Sequence, residues 1–172
     1  MELKRIIEAV LFVSGRPVTI KGLDKKLEGC TGADIEGAIH ELVTEYNYSD
    51  RALEIMEVSG GFQMRTKTDY KEWIKRFVKE RDVELTRSVL ESLAIIAYRQ
   101  PITKREVDAL RGVDSSRAIK QLLDRKFIEI AGRNEEVGRP IVFRTTNRFL
   151  EVYSLRSIED LPTVKELEAL EK

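Results

Sequence analysis

Residues Leu85 to Ser154 read LTRSVLESLAIIAYRQPITKREVDALRGVDSSRAIKQLLDRKFIEIAGRNEEVGRPIVFRTTNRFLEVYS, and this stretch decides the fold. Val89, Leu90, Leu93, Ile96 and Ala97 recur at helical spacing, so one stripe of the first segment faces a core. Gln100-Pro101 breaks that helix, because proline lacks the N–H a helix interior needs. Thr103 is placed to cap the next helix, TKREVDAL, and Gly112 to close it. Asp114 or Ser115 then caps a third helix, whose Ile119, Leu122 and Leu123 share a face. After it the hydrophobic period drops to two, so FIEIA and PIVFRTT, joined by a glycine- and charge-rich loop, read as a hairpin. Three short helices and a hairpin predict a winged helix-turn-helix.

The residues before this stretch give the same order of elements. A first helix runs from about Glu2 to Ser14, with Leu3, Ile6, Ile7, Val10 and Val13 as its buried arc and Leu11 at the margin. Phe12 falls well off that arc, on a side that a monomer leaves to water. Arg16-Pro17 ends the helix, and Thr19 is placed to cap a short one containing Leu23 and Leu27. A third helix, Ala33 to Tyr48, carries Ile35, Ala38, Ile39, Leu42, Val43 and Tyr46 on one face. LEIMEV and FQMRT follow as two strands around Gly60-Gly61. Asp69 or Thr68 then caps a helix with Tyr70, Trp73, Ile74 and Phe77.

Sliding the chain by 83 residues aligns Ile6–Ser14 with Val89–Ala97, Glu8 with Glu91 and Phe12 with Ile95. One inserted residue later Pro17–Thr19 matches Pro101–Thr103, and Met64–Thr66 matches Phe143–Thr145. Shared order with matching breakers marks two copies of one unit. The expected fold class is mainly α with small β-hairpins (α+β), as tandem winged helix-turn-helix domains. The expected bounds are residues 1–79 for the first domain, 80–84 for a charged linker, 85–161 for the second domain and 162–172 for a charged tail. In that tail Val164, Leu167 and Leu170 keep helical spacing, but so short a segment is a marginal helix alone.

The 172 residues are 42% apolar, with 30 basic and 30 acidic side chains, so no global charge attracts nucleic acid. The single cysteine, Cys30, excludes an internal disulfide, and the charged, amphipathic amino terminus is unlike a signal peptide. No apolar run approaches a membrane span, so the expectation is a cytoplasmic protein without a membrane partner. His40, the only histidine, sits among Glu36, Glu41 and Glu45 and lacks a second soft ligand, so no metal site is expected. Gly132, Gly138 and Arg139 do not form a phosphate loop, since there is no GxxxxGK[ST] and no strand-to-helix context. No catalytic constellation is present. The chain reads as a non-enzyme with no cofactor.

A winged helix raises DNA binding as the first alternative, because its third helix enters the major groove. The first copy argues against it: from Thr31 to Asp50 there is no Lys or Arg, while Asp34, Glu36, Glu41, Glu45 and Asp50 all repel phosphate. The second copy is more basic, with twelve cationic against seven acidic residues between Arg99 and Arg148. Arg117, Lys120 and Gln121 lie opposite the buried Ile119 face. The alternative function is therefore a winged-helix transcriptional regulator that uses Arg117, Lys120 and the wing arginines.

The segments ESLAIIAYRQPITKREVDALRGV, LLDRKFIEIAGR, GRPIVFRTT and SIEDLP resemble the segregation and condensation protein B family. The likeness is specific from about Leu85 to Pro162 and looser, though collinear, from Met1 to Lys79. Phe143 stands where the family usually has Tyr, and Val137 where Pro often precedes the glycine. The resemblance implies a non-enzymatic subunit of the SMC–kleisin complex for chromosome condensation and segregation. It implies a homodimer that binds an ScpA-like kleisin and through it the SMC ATPase, meets DNA indirectly and at most weakly, and associates with the nucleoid. The expected dimer interface comprises Phe12 and Leu11. On the second domain the expected partner-binding residues are Arg133, Arg139 and Arg144 of the wing, with Arg117 and Lys120 of the third helix, since arginine forks pair with carboxylates.

Overall fold

The computed structural model describes residues 2–78, 85–135, 137–163 and 166. The expected linker, 80–84, lies outside these residues, as does most of the tail. The chain divides into two compact units, Met1–Arg81 with Ser154–Ser157, and Asp82–Tyr153 with Ile158–Lys172. The short segment Ser154–Ser157, which sequence order places in the second domain, thus groups with the first unit.

The first unit holds α1 (Leu3–Ser14), α2 (Ile20–Asp24), α3 (Gly32–Asn47), the strands β1 (Leu53–Val58) and β2 (Gly61–Thr66), and α4 (Lys71–Phe77). Thr19 caps α2 by accepting the Gly22 N–H, and Thr31 and Asp34 form a reciprocal capping box on α3. The core joins Ile7 and Leu11 of α1 to Ile35, Ile39, Leu42 and Tyr46 of α3, with Leu23 and Ile55. Each such aliphatic side chain contributes roughly 1.5–3 kcal/mol through burial. β1 and β2 pair antiparallel, Leu53 opposite Thr66 and Val58 opposite Gly61. Gly61 is obligatory for packing, because a Cβ there would meet the Val18 carbonyl carbon and oxygen at 2.9 Å. That approach is the Val18–Phe62 bridge, which ties the start of α2 to the wing.

α1 is rotated from the expected arc. Leu11, placed at the margin by periodicity, is 1% exposed, whereas Val13, expected inside, is 82% exposed. The cause is the position of α3. Lys4 bonds Glu41 and Glu45 of α3, and Glu8 bonds Tyr46, so α3 covers the Lys4–Glu8–Leu11 side and leaves Val13 uncovered. Nor does a side chain cap α4. A 3-10 turn, Thr68–Tyr70, leads into it, and neither Thr68 nor Asp69 supplies the cap.

The second unit holds α5 (Arg87–Arg99), β3 (Ile102–Thr103), α6 (Lys104–Arg111), α7 (Ser116–Asp124), β4 (Ile128–Arg133), β5 (Ile141–Thr145) and α8 (Asn147–Tyr153). Its sheet has the order β3-β5-β4, with Ile102 opposite Phe143 and Ile128 opposite Thr145. Gln100 anchors the break after α5: its carboxamide accepts the Thr145 N–H at 2.6 Å and donates to the Ala97 carbonyl at 3.3 Å. Thr103 and Glu106 form a capping box on α6, and Gly112, at φ 70°, ends it in the left-handed region that favours glycine. Ser115 occupies the cap position of α7, while the Asp114 carboxylate accepts the Ser116 N–H. Val89, Leu93, Ile96, Val107, Ile119, Leu122, Phe127 and Phe143 form the core.

The winged-helix order repeats as expected, but the 83-residue register does not superpose the two cores. Under it the buried Ile7 meets Leu90, which is 42% exposed, and Phe12 meets the half-buried Ile95. Burial instead pairs Ile7 with Val89 and Leu11 with Leu93. Sequence identity fell one residue out of helical phase.

Candidate functional site

The first unit presents an apolar surface on α1. Phe12 is 70% exposed, Val13 more so, and Ala9, between them around the helix, is exposed as well. Leu11 is not part of this surface. It points into the core of its own protomer, so its expected role in a dimer interface is corrected. α1 and α3 border one another through charge. The Lys4 ammonium bonds Glu41 at 3.2 Å, the Arg5 guanidinium bonds Glu8 at 2.7 Å, and the Tyr46 hydroxyl donates to Glu8. The Tyr46 hydroxyl, then Arg5, holds the Glu8 carboxyl below its ordinary range, while Glu8 pushes the Tyr46 phenol up. Beside them a shallow depression is lined by Lys4, Gly37, His40, Glu41, Thr44 and Glu45. The exposed side of α3 remains acidic, as the sequence implies, and His40 lies 3.9 Å from Glu36 on it.

On the second unit the expected cations fall into two sets. Arg117 and Lys120 are exposed, a turn apart on α7, and form no ion pair among the described residues. The wing set is partly engaged. Arg144 on β5 pairs with Glu129 directly across on β4, Nε to Oε1 at 2.8 Å, an exposed pair worth about 0–1 kcal/mol. Arg133 donates to the Arg139 carbonyl at 3.1 Å, which closes the wing turn, and leaves the Arg139 guanidinium exposed at a positive φ of 42°. Val137 at the wing tip is fully exposed, and Phe143 is buried, as its alternation with Arg144 predicts.

The turn between α6 and α7 is held by Asp108. Its carboxylate accepts the Ser115 N–H at 2.7 Å, the Ser115 hydroxyl and the Lys104 ammonium at 2.6 Å. Lys104 foremost, then Ser115, brings the Asp108 carboxyl down to about 2. Among the described residues no group of three or more His, Cys, Asp or Glu is placed to hold a metal ion. No helix among them is long and apolar enough to cross a membrane.

Sequence reasoning missed the exposure of α4. Trp73 is 60% and Phe77 86% exposed, with Tyr70 and Val78 beside them. Their spacing matches that of a buried stripe, so spacing alone does not reveal the exposure. The interspersed Lys71, Lys75 and Arg76 were the available signal.

Three helices followed by a two-stranded wing, present in both units, define a protein of the tandem winged-helix class. The chain belongs to the family of segregation and condensation complex subunit ScpB, whose model matches residues 5–164. It is 42% identical over 172 residues to segregation and condensation protein B of Syntrophotalea carbinolica, covering 100% of this chain and 87% of that protein. The crystal structure of ScpB from Mycobacterium tuberculosis is 32% identical, covers 90% of this chain and 96% of that one, and gives a TM-score of 0.42. A crystal structure of a dimer of the ScpB N-terminal domain complexed with ScpA peptide is 26% identical, covers 44% of this chain and 93% of that one, and gives a TM-score of 0.41.

Proposed function

We propose that this chain is a non-enzymatic, homodimeric subunit of an SMC–kleisin complex that binds an ScpA-like kleisin and acts at the nucleoid in the cytoplasm. The observation that carries the reading is family membership across residues 5–164, supported by 42% identity over the full 172 residues. The surfaces fit it. Phe12 and Val13 offer an apolar contact for a second copy, and the exposed Arg139, Arg117 and Lys120 offer cations to an acidic partner segment. The acid-only face of α3 opposes the use of the first unit as a DNA reader, so DNA is reached through the complex.

The test is a mass measurement of the full-length protein alone and mixed with an ScpA-like kleisin. The expected result is a dimer alone and a stable complex with the kleisin. Labelled duplex DNA titrated at physiological salt should show at most weak, sequence-independent binding. A nanomolar, sequence-dependent DNA complex with no kleisin binding would establish the regulator instead.

A further inference from the structure

One side of α5 is apolar and uncovered. Val89, Leu93 and Ile96 point into the core of the second unit, while Leu90, Ala94 and Tyr98, at i, i+4 and i+8, form a ridge outside it. Leu90 is 42% and Tyr98 44% exposed, and Ala94 between them is exposed as well. A small residue between two large ones leaves a notch into which another helix can pack.

The chain comes back to this ridge after the second wing. The Tyr98 hydroxyl donates to the Pro162 carbonyl at 2.7 Å, so the segment beyond Pro162 sets out from the Tyr98 end of the ridge. A helix start follows at once. The Thr163 N–H donates to the Glu166 carboxylate at 2.6 Å and the Glu166 N–H to the Thr163 hydroxyl at 3.4 Å, a reciprocal capping box, and Glu166 is helical. A helix begun there would carry Val164, Leu167 and Leu170 on one side, with Lys165 and Lys172 opposite. So short a helix is marginal alone and needs a surface for its apolar side. Eight helical steps span about 12 Å, which is both the reach from Thr163 to Glu171 and the length of the ridge from Tyr98 back to Leu90. Laid antiparallel to α5, Val164 meets the Tyr98 end, Leu167 the Ala94 notch and Leu170 the Leu90 end. Glu171 then comes within reach of Arg87, whose side chain is 95% exposed.

We propose that residues 164–172 dock as a helix on the Leu90–Ala94–Tyr98 ridge of their own second unit. The occupant is the chain itself, because a segment already tied to one end of the ridge meets it at a high effective concentration. This docking is independent of the dimer and kleisin readings above.

Cys30 is the only cysteine, so Cys30→Ser with Leu90→Cys and Leu170→Cys leaves a single pair to oxidise in the full-length protein. Mild oxidation should close a disulfide within one chain, whereas a control pairing Leu170→Cys with Arg117→Cys on α7 should stay reduced. In the wild type, amide hydrogens of residues 165–171 should exchange at least about tenfold more slowly than in Ala94→Glu, with helical content of the rest unchanged. Leu167→Asp, on the tail itself, should release the same amides without touching the core. Tail amides that exchange at coil rates in the wild type overturn the proposal, and so does a control pair that oxidises equally. A disulfide between two chains would assign the ridge to a second copy, and protection that appears only on adding an ScpA-like kleisin would assign it to that partner; either overturns the proposal. If Ala94→Glu fails to fold, Leu167→Asp decides, and unchanged protection there rejects the docking.

Discussion

The carboxylate of Asp108 accepts the backbone N–H of Ser115 at 2.7 Å, and so fixes the turn that sets α7 against α6. The same carboxylate takes the Ser115 hydroxyl and the Lys104 ammonium, so three donors converge on one half-buried carboxylate of the helix-turn-helix. Ser115 is completely buried, and no other acceptor bonds its N–H among the described residues. The start of α7 is thus tied to α6 through one side chain, while its Ala118, Ile119 and Leu122 pack into the core.

Asp108→Asn keeps the shape and removes the charge, and should destabilise the second unit by about 1–2 kcal/mol at neutral pH. The folded carboxyl lies near 2, below its ordinary value of 3.8, so its contribution is fully present above pH 4 and is lost as pH falls towards 2. Urea unfolding of wild type and variant should differ most at pH 6 and converge on acidification. A difference that grows with acid would contradict the assignment.

Asn47 mimics a strand against β1. Its carboxamide accepts the Ile55 N–H at 2.8 Å and donates to the Ile55 carbonyl at 3.0 Å. Asn47→Ala leaves both backbone groups without a partner, at a cost of roughly 1–3 kcal/mol. Thermal unfolding should show a lower midpoint, together with faster aggregation through the opened strand edge.

Phe12→Glu should yield a monomer with native helical content. Phe12 contributes little to its own core, so the substitution costs nothing until a second copy would bury the carboxylate. Light scattering across a dilution series checks this. A persistent dimer would move the interface away from α1.

Charge reversal on the wing needs one compensation. Arg144→Glu alone would set two carboxylates opposite each other across β4 and β5, so it is paired with Glu129→Arg. With Arg139→Glu added, the fold should persist while affinity for an ScpA-like kleisin falls by at least about tenfold, as expected for lost charge-assisted pairs. Calorimetry measures it, and unchanged affinity would move the site to Arg117 and Lys120 on α7.

The chain alone determined the element order, the breakers at Arg16-Pro17 and Gln100-Pro101, the caps at Thr19 and Thr103, and the wing alternation that buries Phe143. Each of these is local: a missing N–H, a side-chain oxygen within three residues, or a period of two. The resemblance to the family was likewise legible in the segments that contain QPIT, GRP and EDLP, and the family model matches residues 5–164. Only the tertiary structure decided which side of α1 is inside. A periodic stripe on a helix fixes an axis of amphipathicity to within about one position, and the partner element selects within that range. On α1, Lys4 and Glu8 reach α3 and draw Leu11 inward with them, which frees Val13. On α4 the same ambiguity is complete: Trp73 and Phe77 carry the spacing of a core stripe, but among the described residues nothing buries them. Periodicity records that a face is apolar; what covers it depends on residues distant in sequence or on another chain.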